Sequence, residues 1–276
     1  LGKKKDVQHA YRLHDRIRSV IAIAARHFRR KHVENFAIDD FSDLGVTPQV
    51  AGRLIAEGAM LGVYRFERYK SEPKKEQIKS IYVLSGGDTV VLENSLREGA
   101  IASTSTIMAR DWVNTPSADM TPLQFANEAR QVVESTPGLS LEILRVADME
   151  RERMNLHMAV GKGSDAEPCV TIVSYSPRGE AAGYDLAFVG KGVTFDSGGY
   201  DLKLNGGMYR MYGDMAGAAA VLGALRTIAH LQLPINVVGI MPLAENMICG
   251  RAYKAGDIIK SRKGLSVEIT NTDAEG

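Results

Sequence analysis

Apolar residues recur at helical spacing near the start of the chain. Leu13, Ile17, Val20, Ile21, Ala24 and Phe28 fall on one face and predict an amphipathic helix. Val33 to Ile38 alternates and predicts a strand. Thr47-Pro48 opens a second helix that runs to about Tyr64, with Thr47 as N-cap and Pro48 at the first helical position. Tyr69 to Lys79 is polar and reads as a loop, and Ile81 to Leu84 as a short strand. Asn94 to Val113 predicts a long helix, stopped where Asn114-Thr115-Pro116 brings in a proline. Thr121-Pro122 begins a helix over 121–135. Strand 140–145, helix 147–155, strands 169–175 and 185–190, helix 214–231 and strands 235–241 and 265–271 follow. Leu186 to Val189 and Ile235 to Ile240 are unbroken apolar runs, as in strands covered on both faces.

The alternation of the two patterns predicts an α/β protein. Its parts are an N-terminal α/β domain over 1–93, a connecting helix at 94–113, and a second domain that takes in this helix and runs to 276. A length of 276 residues suits one or two domains. With 45% hydrophobic and 24% charged residues, the chain is not a disordered tail, a collagen or a coiled coil. Its first residue is Leu1, and its last run, Asn271 to Gly276, directly follows a strand-like stretch. It therefore reads as an internal piece of a longer protein.

Charge adds one local feature. Lys+Arg 34 against Asp+Glu 33 gives +1, so no global field points to nucleic acid or membrane. Residues 1–32 nevertheless hold ten Lys/Arg against two Asp. A nucleic-acid patch is one reading. The stronger one makes Arg12, Arg16, Arg26 and Arg30 the wet face of the first helix. Two cysteines, Cys169 and Cys249, are too few for a disulfide framework or a thiolate zinc site and suit a reducing cytosolic setting. No apolar run reaches the roughly 20 residues of a membrane-spanning helix.

The candidate chemistry begins at Val189-Gly190-Lys191-Gly192-Val193-Thr194-Phe195-Asp196-Ser197-Gly198-Gly199. A phosphate loop fails on spacing, because Lys191 is followed by Gly192 and Asp185 stands where the first glycine belongs. A dinucleotide fingerprint fails because position 195 is Phe. What remains is a glycine-supported turn that displays Lys191 and Asp196. Asp214 stands at the start of the helix Met215 to Leu231, where an acid can cap free N–H groups. Asp273 and Glu275 end a strand-like run and, two apart on an extended chain, point to one face. If these four carboxylates converge they repel unless cations neutralise them, and two divalent ions would balance the charge. Oxygen donors of this kind suit Mg²⁺ or Mn²⁺, and Zn²⁺ also accepts them. All six histidines lie outside these motifs. The alternative is that these acids sit in ordinary surface turns.

The run Val189 to Gly199, then Leu202-Lys203, Met211 to Ala220, Glu245-Asn246-Met247 and Asn271-Thr272-Asp273-Ala274-Glu275-Gly276 closely resemble the leucyl aminopeptidase family of dinuclear metallopeptidases. Asn114-Thr115-Pro116 with Thr121-Pro122 fits the start of the family's catalytic domain, and the N-terminal part matches loosely. The resemblance implies a mixed-sheet αβα catalytic domain, here cut short at its C-terminus. It implies Lys191, Asp196, Asp214, Asp273 and Glu275 as metal ligands, with Asp196 and Glu275 bridging the ions. Lys203 resembles the catalytic lysine, a cation that stabilises charge developing on the scissile carbonyl oxygen. Met211 matches a position lining the substrate pocket, although helical core packing explains Met208, Met211 and Met215 as well. Asn271 is a second substrate-binding candidate.

The implied reaction is metal-dependent release of N-terminal, leucine-like residues from peptides. The implied partners are two divalent ions per chain and a homo-hexamer in the full-length protein, with no membrane. The family's arginine falls at position 277, beyond this sequence, where it would hold a bicarbonate. The 276-residue piece alone is therefore expected to be inactive. Two other readings remain: a non-catalytic or DNA-binding protein on the same scaffold, and a piece that never assembles.

Overall fold

The computed structural model describes residues 10–73 and 78–274. The chain divides into two compact units, Leu1–Ile107 and Met108–Gly276.

In the first unit, α1 (Ala10–Arg30) packs along α2 (Pro48–Val63), and β1 (Asn35–Asp39) pairs in parallel with β2 (Ser80–Leu84). Ile17 and Ile21 of α1 are buried against Leu54 and Ile55 of α2. Val20, expected on the same face, is exposed; Ala25 is buried instead, as the register Ile17, Ile21, Ala25 requires. Arg12, Arg26 and Arg30 are exposed and Arg16 partly so, while Arg18 pairs with both Asp15 and Glu57. Pro48 starts α2 as expected, but the Thr47 hydroxyl makes no cap bond. The described part of the stretch Tyr69 to Lys79 carries no helix or strand, and its residues 74–77 lie outside the described region. The long helix α3 (Thr89–Asn114) begins five residues before the expected Asn94.

The second unit is built on a mixed sheet. Its elements are α4 (Pro122–Glu134), β3 (Leu139–Leu144), α5 (Val146–Arg151), α6 (Asn155–Gly161), β4 (Cys169–Tyr175), β5 (Leu186–Val189), β6 (Gly192–Asp196), α7 (Ala216–His230) and β7 (Val237–Asn246). A small antiparallel pair, β8 (Ile258–Lys260) and β9 (Ser266–Glu268), follows. The sheet runs β3-β4-β7-β5, with β6 also on β7. The β3/β4 and β4/β7 pairs are antiparallel, whereas β5 and β6 run parallel to β7. Val237, Met241 and Leu243 on one face of β7 enter the core with Phe125 of α4 and Leu222 and Leu225 of α7. Pro242 and Ala244 line a cavity of about 320 Å³ with Leu156, His157 and Val160 of α6. Thr121 caps α4, its hydroxyl accepting the Gln124 N–H at 3.3 Å.

Several elements differ from the sequence expectation. The helix expected over 147–155 is two short helices, broken where Arg153 takes φ 56°. Leu186 and Val189 of β5 are exposed, 47% and 70%, because β5 lies at the sheet edge. The last strand covers Ser266–Glu268 rather than 265–271, and it pairs with β8, outside the main sheet. Among the described residues, no helix is long and apolar enough to cross a membrane.

Candidate metal centre

The glycine-rich run is not a simple turn. β5 and β6 lie on successive halves of β7 in one unbroken register, Val189 opposite Ile240 and Gly192 opposite Leu243. The two halves are interrupted at Gly190-Lys191, which that register places opposite Met241 and Pro242. Pro242 has no N–H to offer the ladder, so Lys191 stands at a break in the strand. Gly192 belongs to the strand: a Cβ there would lie 2.5 Å from Pro242 O. A bulge between Val193 and Phe195 then shifts the register, and β6 ends with Asp196 opposite Asn246.

Asp196 is 1% exposed. A buried carboxylate needs donors and counter-charge, and Asp196 has both. Its Oδ1 accepts from Asn246 Nδ2 at 3.0 Å and from the Gly198 N–H at 2.8 Å. Its Oδ2 lies 2.8 Å from Lys203 Nζ. The chain reverses after Asp196 through Gly198 (φ 85°) and Gly199 (φ 63°), and the Lys203 N–H donates to Ser197 O at 3.0 Å. Lys203 thereby faces back across the loop, where its ammonium also pairs with Asp273 Oδ1. Burial alone would lower the pKa of Lys203. The bonds from Asp196 and Asp273 outweigh that and hold it above the ordinary lysine value.

Lys191 pairs with the other acid: its Nζ lies 2.9 Å from Asp214 Oδ2. Its carbonyl accepts the Ala218 N–H at 2.8 Å, which ties the break in the strand to the first turn of α7. Asp214 does not cap that helix, the alternative its position allows. Instead it closes the 3-10 turn Met211–Gly213, and Met215 stands at the N-cap position without a side-chain cap bond. This turn packs against β6, so Asp214 and Asp196 belong to one region of the unit. Asp273 lies in a turn after β9 rather than on an extended strand, and its N–H donates to Asn271 Oδ1 at 2.7 Å. Glu275 lies outside the described residues.

The structure thus gathers Asp196, Lys203 and Asp273 into one cluster, and Lys191 and Asp214 into a second. Met211 is half-buried and Asn271 exposed, while Met215 is wholly buried in the core. Among the described residues, no three His, Cys, Asp or Glu side chains form a closed metal cage. The donor set still fits a hard cation. Two carboxylates, one of them buried, face a common point where a positive charge already sits, and oxygen donors suit Mg²⁺ or Mn²⁺.

Four residues outside the expected site set tie the centre together. Asn246 bonds both Asp196 and Thr272 O; Asp201 and Tyr253 also hold Thr272, which is itself buried. Asn246 lies in the run Glu245-Asn246-Met247, but its partners are 26 and 50 residues away, and a local pattern does not show such pairs.

Residues 107–276 match the cytosol aminopeptidase family catalytic domain, and residues 1–73 match that family's N-terminal domain. A probable cytosol aminopeptidase of Alkaliphilus metalliredigens is 41% identical over 266 residues, which covers 94% of this chain and 53% of the relative. The bottromycin maturation enzyme BotP in complex with Mn is similar in structure, with a TM-score of 0.84 at 35% identity. That match covers 94% of this chain and 54% of BotP. The cytosol aminopeptidase of Coxiella burnetii matches with a TM-score of 0.74 at 30% identity, covering 87% of this chain and 49% of the other. The chain spans about half the length of the curated relatives it matches.

Proposed function

The chain belongs to the cytosol aminopeptidase family, and on that premise we propose that it carries the metal centre of a metal-dependent aminopeptidase. The substrates are peptides with a free N-terminus and a leucine-like first residue, and the bond cleaved is the first peptide bond. The observation that supports this most is the placement of Lys203 Nζ between Asp196 Oδ2 and Asp273 Oδ1.

Asp196, Asp214, Asp273 and Glu275, with Lys191 as the nitrogen donor, would hold two divalent ions. Manganese is the first choice, because BotP is described in complex with Mn. When bound, such ions supply Lewis acidity and lower the pKa of a bound water. Asp196 enters that role already oriented by Asn246 and the Gly198 N–H. In the metal-free protein Lys203 is a cation, its pKa raised by the bonds to Asp196 and Asp273. It would donate to the scissile carbonyl oxygen and oppose the negative charge that builds there. With Asp196 and Asp273 engaged as metal ligands, the Lys203 ammonium would be free to serve the substrate. Met211 and Asn271 would contact the first residue of the peptide. A cytoplasmic homo-hexamer is the proposed assembly.

Hydrolysis of a leucyl amide by the full-length protein, with and without Mn²⁺, tests this reading. Turnover should require the metal and should vanish for the N-acetylated amide. Equal turnover of the blocked substrate would overturn the exopeptidase assignment.

A further inference from the structure

Thr272 is wholly buried, and all its polar atoms are bonded. Its N–H donates to Asp201 Oδ2 at 2.6 Å. Its carbonyl accepts from Asn246 Nδ2 at 2.8 Å and from the Tyr253 hydroxyl at 2.7 Å. Its hydroxyl donates to Gly198 O at 2.7 Å, with Asp201 Oδ2 at 3.1 Å as a second acceptor. The same hydroxyl accepts the Asp201 N–H at 2.9 Å. Asp201 and Thr272 therefore bond each other reciprocally across 71 positions of sequence.

These bonds fasten four segments: the loop after β6, the end of β7, the stretch before β8 that carries Tyr253, and the turn that carries Asp273. Asp196 stands immediately before the loop, and Asp273 immediately after Thr272. The Asn246 amide nitrogen bonds the Asp196 carboxylate and the Thr272 carbonyl at once. The backbone on which Asp273 rides is thus held to the side chain that orients Asp196. Without this tie, two ligands from segments far apart in sequence would have to be brought together when the cation binds, and that ordering would subtract from affinity.

We infer that Thr272, together with Asp201 and Asn246, is the positioning element that fixes the spacing between Asp196 and Asp273 and thereby sets affinity for a divalent cation. The inference rests on the metal-centre reading above. Thr272 and Asn246 act through the two aspartates, because their hydroxyl and amide hydrogens are engaged within the protein.

The test is calorimetric titration of Mn²⁺ into the metal-free full-length protein, well below its melting temperature. Thr272→Val keeps the volume and removes the hydroxyl, and it should weaken Mn²⁺ binding about tenfold or more, the scale for groups that orient metal ligands. Thr272→Ser restores the hydroxyl and should return to within a few-fold of the parent. Asp201 is exposed, so Asp201→Ala should fold and lose affinity similarly. Asp201→Asn, which keeps an acceptor oxygen, should retain it. Should Thr272→Val not fold, the Asp201 pair decides. If Thr272→Val and Asp201→Ala bind Mn²⁺ as tightly as the parent while melting at lower temperature, the network only stabilises the fold and the inference is overturned, with the metal reading intact. A parent protein that binds no Mn²⁺ would overturn both.

Discussion

Asn246 and Asp196 end neighbouring parallel strands in register, and the Asn246 amide donates to the Asp196 carboxylate at 3.0 Å. Both side chains are buried. The strand ladder thus delivers a donor to the one place in the sheet where a carboxylate is taken out of water. Asn246→Leu keeps the approximate volume and removes that donor. It should destabilise the metal-free protein by about 1–3 kcal/mol, the cost of leaving a buried polar partner unmatched. Urea unfolding checks this; an unchanged midpoint would mean that Asp196 does not depend on Asn246.

Gly199 makes the loop after Asp196 sterically possible. Its φ is 63°, and a Cβ there would lie 2.9 Å from Thr272 Oγ1 and 3.0 Å from Asn246 Oδ1. Gly199→Ala should therefore cost about 1–2 kcal/mol in backbone strain alone, and more through the displaced side chains. The neighbouring Gly206 (φ 78°) has open space around it, so Gly206→Ala should cost the backbone strain without the clash. Thermal unfolding of the two variants should rank them in that order.

What could be read in the sequence follows from how local each signal is. The amphipathic α1, the proline-started α2 and α4, and the apolar β4 and β5 rest on spacing or on a single residue type, and each lies within a few residues of its expected span, whereas β7 runs on to Asn246, past its expected end at 241. β6 was hidden because glycines usually mark turns, whereas Gly192 is there to let two strands approach closely. The break at Arg153 depends on a positive φ that no residue type announced. The sequence offers Lys191, Asp196, Lys203, Asp214 and Asp273 as candidates, but not their pairings. Lys203 with Asp273 and Asp201 with Thr272 are contacts across 70 and 71 positions. The last strand ends early for the same reason: Ile269 still exchanges backbone bonds with Asp257 and Gly256, and beyond it the chain turns away, where Thr272 bonds Asp201 and Asn246 instead of continuing a ladder.

The two cysteines should behave differently. Burial pushes the Cys169 thiol up to about 12, and its Sγ lies 3.6 Å from Pro122 O. Cys249 is partly exposed. A thiol reagent should modify the accessible Cys249 quickly and Cys169 only after unfolding. Rapid reaction of both in the native state would contradict the packing of β4.

Lys203 should matter in two separable ways. Lys203→Ala should lower kcat roughly 10²-fold or more, the scale for losing a group that stabilises a developing oxyanion, while metal content is retained. In the metal-free protein its ion pairs with Asp196 and Asp273 raise its pKa above 10.5. A group with a raised folded-state pKa contributes stability that is fully present below its unfolded value and is lost as pH rises through the folded value. The stability difference between the parent and Lys203→Met should therefore stay constant between about pH 7 and pH 10 and shrink only above that window.

The carboxylates of this chain are expected to hold divalent ions. Metal content of the full-length protein, loaded with Mn²⁺ and measured by elemental analysis beside Asp196→Ala and Asp214→Ala, tests it most directly. About two ions per chain are expected in the parent, with mainly one lost in Asp214→Ala and both sites depleted in Asp196→Ala. Undiminished occupancy in Asp196→Ala would contradict the account.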